Sequence, residues 1–297
     1  MRGWWQDLTD LVLPGECGGC GAPRTVLCAK CRAVLSGAVA HRVRPVPEPP
    51  GLPVVHAAAR YADEVRATLL AHKERGALVL AGPLGAALAG AVREGLAAVR
   101  SGSRRGGARS WGSGPPVLLV PVPSGRRAVR ARGHDPARRI ALAAAGELRR
   151  SGVPARVLGV LRQRRAVADQ SGLNSRQRLD NLAGALAVVP GGARLLSEGP
   201  VVLVDDVMTT GASLTEAARA VRSVAGLVSN AAGTGAVYRG ETWESREEQN
   251  VGTRRERTGR WPARQGITGA GGASAVVDVV CAAVVAASPD SFEINRN

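Results

Sequence analysis

Two carboxylates, Asp205 and Asp206, close an apolar run and are followed at once by Thr209, Thr210, Gly211, Ala212 and Ser213 (VVLVDDVMTTGAS, 201 to 213). Carboxylates repel phosphate, yet small hydroxyl-bearing residues around a glycine are what a phosphate-holding loop needs. The conflict disappears if the ligand is a sugar phosphate. Carboxylates accept hydrogen bonds from vicinal ribose hydroxyls. Backbone N–H groups and hydroxyls at the start of the following helix then surround the phosphate nearby. Gly211 lets the backbone come close. The stretch therefore reads as a ribose-5-phosphate recognition loop with Asp205 and Asp206 as its catalytic pair; a buried strand followed by a capped helix would not require adjacent acids.

A second constellation lies near the N-terminus, where Cys17-Gly-Gly-Cys20 is followed after seven residues by Cys28-Ala-Lys-Cys31. Each Cys-x-x-Cys turn lets both sulfurs face a common centre, so the four thiolates of Cys17, Cys20, Cys28 and Cys31 suit one structural Zn²⁺. Disulfides are not expected in a cytoplasmic protein. Cys281, alone in VVDVVCAAVVAAS, reads as a small core residue.

The elements that would position these residues alternate. After a proline-rich connector (42 to 51), VVHAAARY reads as a strand and ADEVRATLLAHKERG as an amphipathic helix ending at Gly76. A second helix runs from Pro83 to about Arg100, before the low-complexity linker SGSRRGGARSWGSG. VLLVPVP is a buried strand, HDPARRIALAAAGELRR a helix, and ARVLGVL, ALAVV and VVLVDD are three further strands. The helix 214 to 226 returns to a last strand, 278 to 288. Strands alternating with helices predict an α/β fold with a doubly wound parallel sheet. The expected organisation is a small N-terminal zinc-knuckle module with its connector (1 to 50), then the α/β domain (51 to 228). A disordered insertion of low apolar content (229 to 275) and a final strand with the C-terminal tail (276 to 297) follow.

The 201 to 213 stretch also resembles, residue for residue, the phosphoribosyl pyrophosphate (PRPP) motif of type I phosphoribosyltransferases. Together with the cysteine knuckles, HKERG, VPVPSGRRAVRARGHD, LRQRRAVADQSGLNSRQRLDNLAGAL and the closing strand, all in order, it resembles the ComF family of competence-associated, phosphoribosyltransferase-like proteins. The resemblance implies a type I phosphoribosyltransferase-like fold and the binding of PRPP with Mg²⁺ on its pyrophosphate and ribose oxygens. Ribose 5-phosphate would pass to a nitrogen acceptor with release of pyrophosphate. It implies a pyrophosphate loop at Pro123, Ser124, Gly125 and Arg126, with Arg127 nearby. It also implies a flexible lid over 162 to 180 in which Arg165, Gln170 and Arg178 match recurring polar positions. Arg132-Gly133-His134-Asp135-Pro136 departs from the family's usual R-G-F-N-Q. His134 reads as a base or, more simply, as a capping or surface group, with Asp135 in a first helical turn favoured by the helix dipole.

Composition narrows the alternatives. The formal charge is +16, but only Lys30 and Lys73 are lysines, and the arginine, alanine, glycine, valine and proline content has the look of GC-rich coding. Aromatics are 3%, too few for a base-stacking platform. The uncharged run Ala77 to Val92 is 16 residues with a proline and three glycines, short of a membrane span. No signal peptide is expected, and the location expected is cytoplasmic. There is no G-x-x-x-x-G-K-[ST], no H-E-x-x-H and no G-x-S-x-G. A competing reading is a non-catalytic PRPP- or nucleotide-sensing module that binds single-stranded DNA or the DNA-uptake machinery. A plain zinc-ribbon nucleic-acid protein would leave the 201 to 213 loop unexplained.

Overall fold

The computed structural model describes residues 15–102, 114–167, 172, 174–231, 277 and 279–295. The expected insertion lies outside the described residues from 232 to 275, as do 103 to 113 of the expected linker and Gln170 of the expected lid.

Runs of β-branched and small apolar residues form a six-stranded sheet. Its strands are β1 (His41–Val43), β2 (Val55–Arg60), β3 (Val117–Pro121), β4 (Ala155–Val157), β7 (Val201–Met208) and β8 (Val279–Ala287), in the order β1-β2-β8-β7-β3-β4. β1 pairs antiparallel with β2, and every other pairing is parallel. Parallel strands need crossovers, and here the crossovers are helical. Val202 and Val204 of β7 face a core shared with α3 (Ala81–Gly102) and α5 (Pro136–Arg150). Val201 and Leu203 face the opposite core, shared with α8 (Ala212–Ala231). Burial on both faces is why β7 reads as a continuous apolar run rather than an alternating one. The result is a mixed α/β fold with a mostly parallel central sheet.

Local signals explain the helix boundaries. Asp135 caps α5 by accepting the Arg138 N–H at 3.2 Å, with Pro136 at the first helical position. α3 lies close against α5 because Gly85 has no side chain; a Cβ there would sit 2.4 Å from that of Ala143. Leu27, Cys31 and Leu35, around α1 (Ala29–Ser36), pack into the same core as Val65 and Leu69 of α2 (Asp63–Glu74) and Leu84 and Leu88 of α3.

Two expectations differ from the fold, and one helix was not expected. ARVLGVL is not one strand. It pairs with β3 until the Leu158 N–H donates to Leu119, leaves the strand over 158 to 160, and resumes as β5 (Leu161–Gln163) in a separate sheet. ALAVV supplies that sheet's antiparallel partner, β6 (Leu186–Val188), rather than a strand of the main sheet. RRAVRAR forms a helix, α4 (Arg126–Arg132), which no apolar periodicity announces because none of its residues is buried. Two short helices, α6 (Ser175–Leu182) and α7 (Gly192–Leu196), flank β6. α6 begins with a reciprocal cap in which Asn174 accepts the Gln177 N–H and Gln177 accepts that of Asn174, each at 2.9 Å.

Candidate functional site

The sheet reverses direction between β3 and β7: the chain leaves β3 toward β4 on one side and leaves β7 toward β8 on the other. At such a switch point the two outgoing loops diverge and open a crevice beyond the carboxyl ends of the strands. A cavity of about 540 Å³ lies here, lined by Pro123, Ser124, Gly125, Lys73, Asp205, Asp206, Thr209 and Ser213 among others. The register brings its two walls together. Val204 lies opposite Pro121, and the Val122 N–H donates to the Val204 carbonyl at 2.9 Å, so the 123 to 125 loop departs beside the two acids.

The acids are held by their own strand. The Asp206 N–H donates to Asp205 Oδ1 and the Val207 N–H to Asp206 Oδ1, both at 2.8 Å. Asp206 is buried and Asp205 half-buried. Burial, reinforced by the neighbouring Asp206 charge, pushes the Asp205 carboxyl well above the ordinary carboxylate range. Lys73, from the last turn of α2, donates to Asp206 Oδ2 at 2.9 Å. Burial works against the Lys73 charge, but the attraction of Asp206 outweighs it and the ammonium is held above its ordinary value.

After the acids the chain turns through Thr209 and Thr210 to Gly211, at φ 75°, and enters α8. A side chain at Gly211 would be disfavoured twice, by this backbone conformation and by Leu52, whose methyl carbons lie 3.1 Å from where a Cβ would be. Thr209 and Ser213 line the cavity; Thr210 is half-buried and Ala212 buried. The first N–H groups of α8 have no acceptor within their own helix, which leaves them available to an anion.

In the opposite loop Pro123, Ser124 and Gly125 line the cavity, whereas Arg126 is exposed as the first residue of α4 and does not. Arg132, at the other end of α4, does line it. Asp135 lies outside the cavity lining as the α5 cap, and the Ser124 N–H and hydroxyl approach its carboxylate at 3.4 and 3.5 Å. The expectation that Asp135 lies within the first turn is therefore shifted by one position, to the cap itself. His134 is half-buried and packs edge-on against His72, ring centroids 5.5 Å apart.

Of the expected lid residues, Arg178 donates to Thr209 Oγ1 at 3.2 Å and so touches the 209 to 213 loop. Arg165 is exposed and donates to the carbonyls of Asn181 and Ala183 at 2.8 and 3.1 Å, tying its segment to the end of α6. Gln163 and Val167, from the same region, line the cavity. The small sheet is fixed to α8 by Glu216, which accepts the Leu186 N–H at 2.9 Å, and by Arg219, which donates to the Leu186 carbonyl at 2.9 Å.

The residues that sequence reasoning left without a role are Lys73, Arg132, Tyr61 and Gln163. Lys73 carried only a compositional signal: it is one of two lysines in a chain with 40 lysines and arginines.

The four N-terminal sulfurs all lie within 4.8 Å of one another, with Cys20 Sγ and Cys28 Sγ 3.6 Å apart and no disulfide among them. A tetrahedral ion with sulfurs at about 2.3 Å places them about 3.8 Å apart, so the cluster fits a metal ion. The Cys28 N–H donates to Cys17 Sγ at 3.3 Å. Burial opposes ionisation of Cys17, but the N–H groups of Cys20, Cys28 and Gly19 outweigh it and bring the thiol down to about 6. Burial raises Cys31, with the neighbouring Cys28, Cys20 and Cys17 adding to it. Cys281 is fully buried in β8 and its thiol is pushed up to about 12 by burial.

Another cavity, about 810 Å³, lies at the β1 edge, lined by His41, Arg42, Arg44, Arg60 and Phe292 among others. Asp63 and Glu64, at the start of α2, also line it, so carboxylates face its arginines, and no residue of 123 to 125 or 205 to 213 reaches it. Among the described residues no helix is long and apolar enough to cross a membrane. No protein-family model and no curated protein matches the chain.

Proposed function

We propose that the chain is a ComF-type, phosphoribosyltransferase-like protein that binds PRPP and transfers ribose 5-phosphate to a nitrogen acceptor, releasing pyrophosphate. One observation carries the reading: the paired acids and the Ser124–Gly125 loop line a single cavity at the switch point, together with Thr209 and Ser213 where the chain enters α8. Asp206 accepts ribose hydroxyls, and Asp205 does so alongside it. Thr209, Ser213 and the first N–H groups of α8 hold the 5-phosphate, and Ser124 with Gly125 holds the pyrophosphate. The attacking nitrogen forms its bond to C1 as the C1–O bond to pyrophosphate breaks, and the electron pair leaves on that oxygen. Charge builds on the ribose ring as in glycoside cleavage, where a flanking carboxylate is favourable. Mg²⁺, if it accompanies the substrate, would supply neutralisation of the leaving group. Zn²⁺ held by Cys17, Cys20, Cys28 and Cys31 is structural, its four protein ligands leaving no open position.

The test is PRPP titration by calorimetry. Asp206→Asn should weaken binding by about tenfold, the scale for losing one partner of a buried charged hydrogen bond. Unchanged binding removes Asp206 from the ribose site. Mass spectrometry of PRPP incubated with candidate amines and bases identifies the acceptor.

The β1-edge cavity, with three arginines, a histidine and Phe292 beside the acids Asp63 and Glu64, is the surface on which a second reading would rest: a PRPP- or nucleotide-sensing module that binds single-stranded DNA without turnover. Pyrophosphate release from PRPP supports the enzyme. No release with any acceptor, together with DNA binding that weakens steeply with salt, supports the sensor.

A further inference from the structure

The final turn of α2 sends three consecutive side chains to three different partners, and the middle one enters the switch-point cavity. His72 packs on His134, Lys73 bonds to Asp206 at 2.9 Å, and Glu74 receives both the Nε–H and an Nη2–H of Arg132, at 2.9 and 2.8 Å. The ionisable side chains lining the cavity are two acids, Asp205 and Asp206, and two cations, Lys73 and Arg132. Arg132 is already neutralised by the bidentate Glu74. Lys73 is therefore the cation left to balance the acids.

We propose that Lys73 is a positioning residue whose charge makes the sugar-binding acid Asp206 compatible with a polyanionic ligand. The inference rests on the PRPP reading above and deepens it. A sugar carrying both a phosphate and a pyrophosphate would meet strong repulsion from an uncompensated carboxylate in a half-enclosed cavity. Lys73 removes that repulsion without occupying the carboxylate. It takes one bond at Oδ2 while the Val207 N–H takes one at Oδ1, and each oxygen keeps a further lone pair for a hydroxyl. Its position is fixed by the chain: it projects from a helix C-terminus, where a cation is favoured. The flanking His72 and Glu74 contacts keep that turn from drifting. Lys73 is held above its ordinary value, so it stays charged across the neutral range.

The test uses the full-length protein, PRPP as the probe, fixed Mg²⁺ and calorimetry, with a thermal melt on every variant. Lys73→Met should weaken PRPP binding by at least about tenfold, since it leaves a buried carboxylate unpaired. Lys73→Arg, which keeps the charge, should stay within about threefold of the parent. The decisive variant is Lys73→Met with Asp206→Asn. Removing both charges should restore part of what Lys73→Met alone loses, and should flatten the difference between low and high salt. A merely structural lysine would give additive losses and no salt effect. Parental affinity in Lys73→Met, additive losses in the double variant, or failure of Lys73→Arg to bind in a well-folded protein each overturn the proposal. If the parent protein binds no PRPP, the ribose-site reading falls and takes this one with it. Tight parental binding with an unaffected Lys73→Met removes the Lys73 role alone.

Discussion

Asp135 serves two neighbours at once, capping α5 through the Arg138 N–H and standing 3.4 to 3.5 Å from the Ser124 backbone N–H and hydroxyl. Its chemistry is that of an N-cap acceptor, and Asn caps about as well as Asp. Asp135→Asn should therefore leave the urea midpoint almost unmoved, whereas Asp135→Ala should lower stability by about 1 kcal/mol. A larger loss in the Asn variant would mean that the carboxylate charge, not the cap, is what matters. At this scale the sequence was legible where residue type and spacing state the chemistry directly, as in Asp205-Asp206 and Thr209 to Ser213. It did not join Lys73 to Asp206, which lies 133 positions away in sequence. No local pattern encodes that encounter; it follows from where α2 ends relative to β7.

Among the elements, α2 links the cysteine cluster to the switch-point cavity. Glu64 pairs with Lys30 of the cysteine segment at 3.2 Å. A Cβ on Gly18 would meet Ala71 and Leu80, and one on Gly19 would lie 3.1 Å from Thr68 Oγ1. Glu64, Thr68 and Ala71 recur at helical spacing, so one face of α2 carries the cysteine cluster while its last turn carries Lys73. Cys17→Ser should therefore lose stoichiometric metal by elemental analysis and lower the melting temperature. It should also weaken PRPP binding, although Cys17 lies outside the cavity lining. Retained metal would mean that three sulfurs suffice. The alternation of strand and helix was legible from apolar runs and breakers. The split of ARVLGVL was not, because both halves are apolar and only pairing partners decide which sheet takes each.

At the scale of the molecule, two buried histidines set an acid limit. Burial lowers His72, with the Ala77 carbonyl opposing and His134 adding to the effect; burial also lowers His56, with Glu94 opposing. A depressed value means the unfolded chain binds the proton more readily. The stability these groups contribute is complete above their ordinary value of about 6.5 and is lost as pH falls through and below it. Asp205, raised by burial, acts in the opposite direction. The melting temperature of the parent should fall more between pH 7 and pH 5 than that of the doubly substituted His56→Gln, His72→Gln protein; parallel curves would show that neither imidazole is neutral in the folded state. The whole sheet was legible as a class, α/β with parallel pairing, but not its order, since order depends on which strands meet after the crossovers.

That order has a consequence for how the chain is made. β8, the last of the described strands along the chain, lies between β2 and β7 rather than at a margin. While the ribosome is still translating toward residue 279, β1 with β2 and β7 with β3 and β4 are two half-sheets that do not touch, each presenting a bare strand that invites mispairing. One late segment closes both gaps in a single step, so the nascent polypeptide needs shielding for most of its synthesis and very little once β8 has emerged.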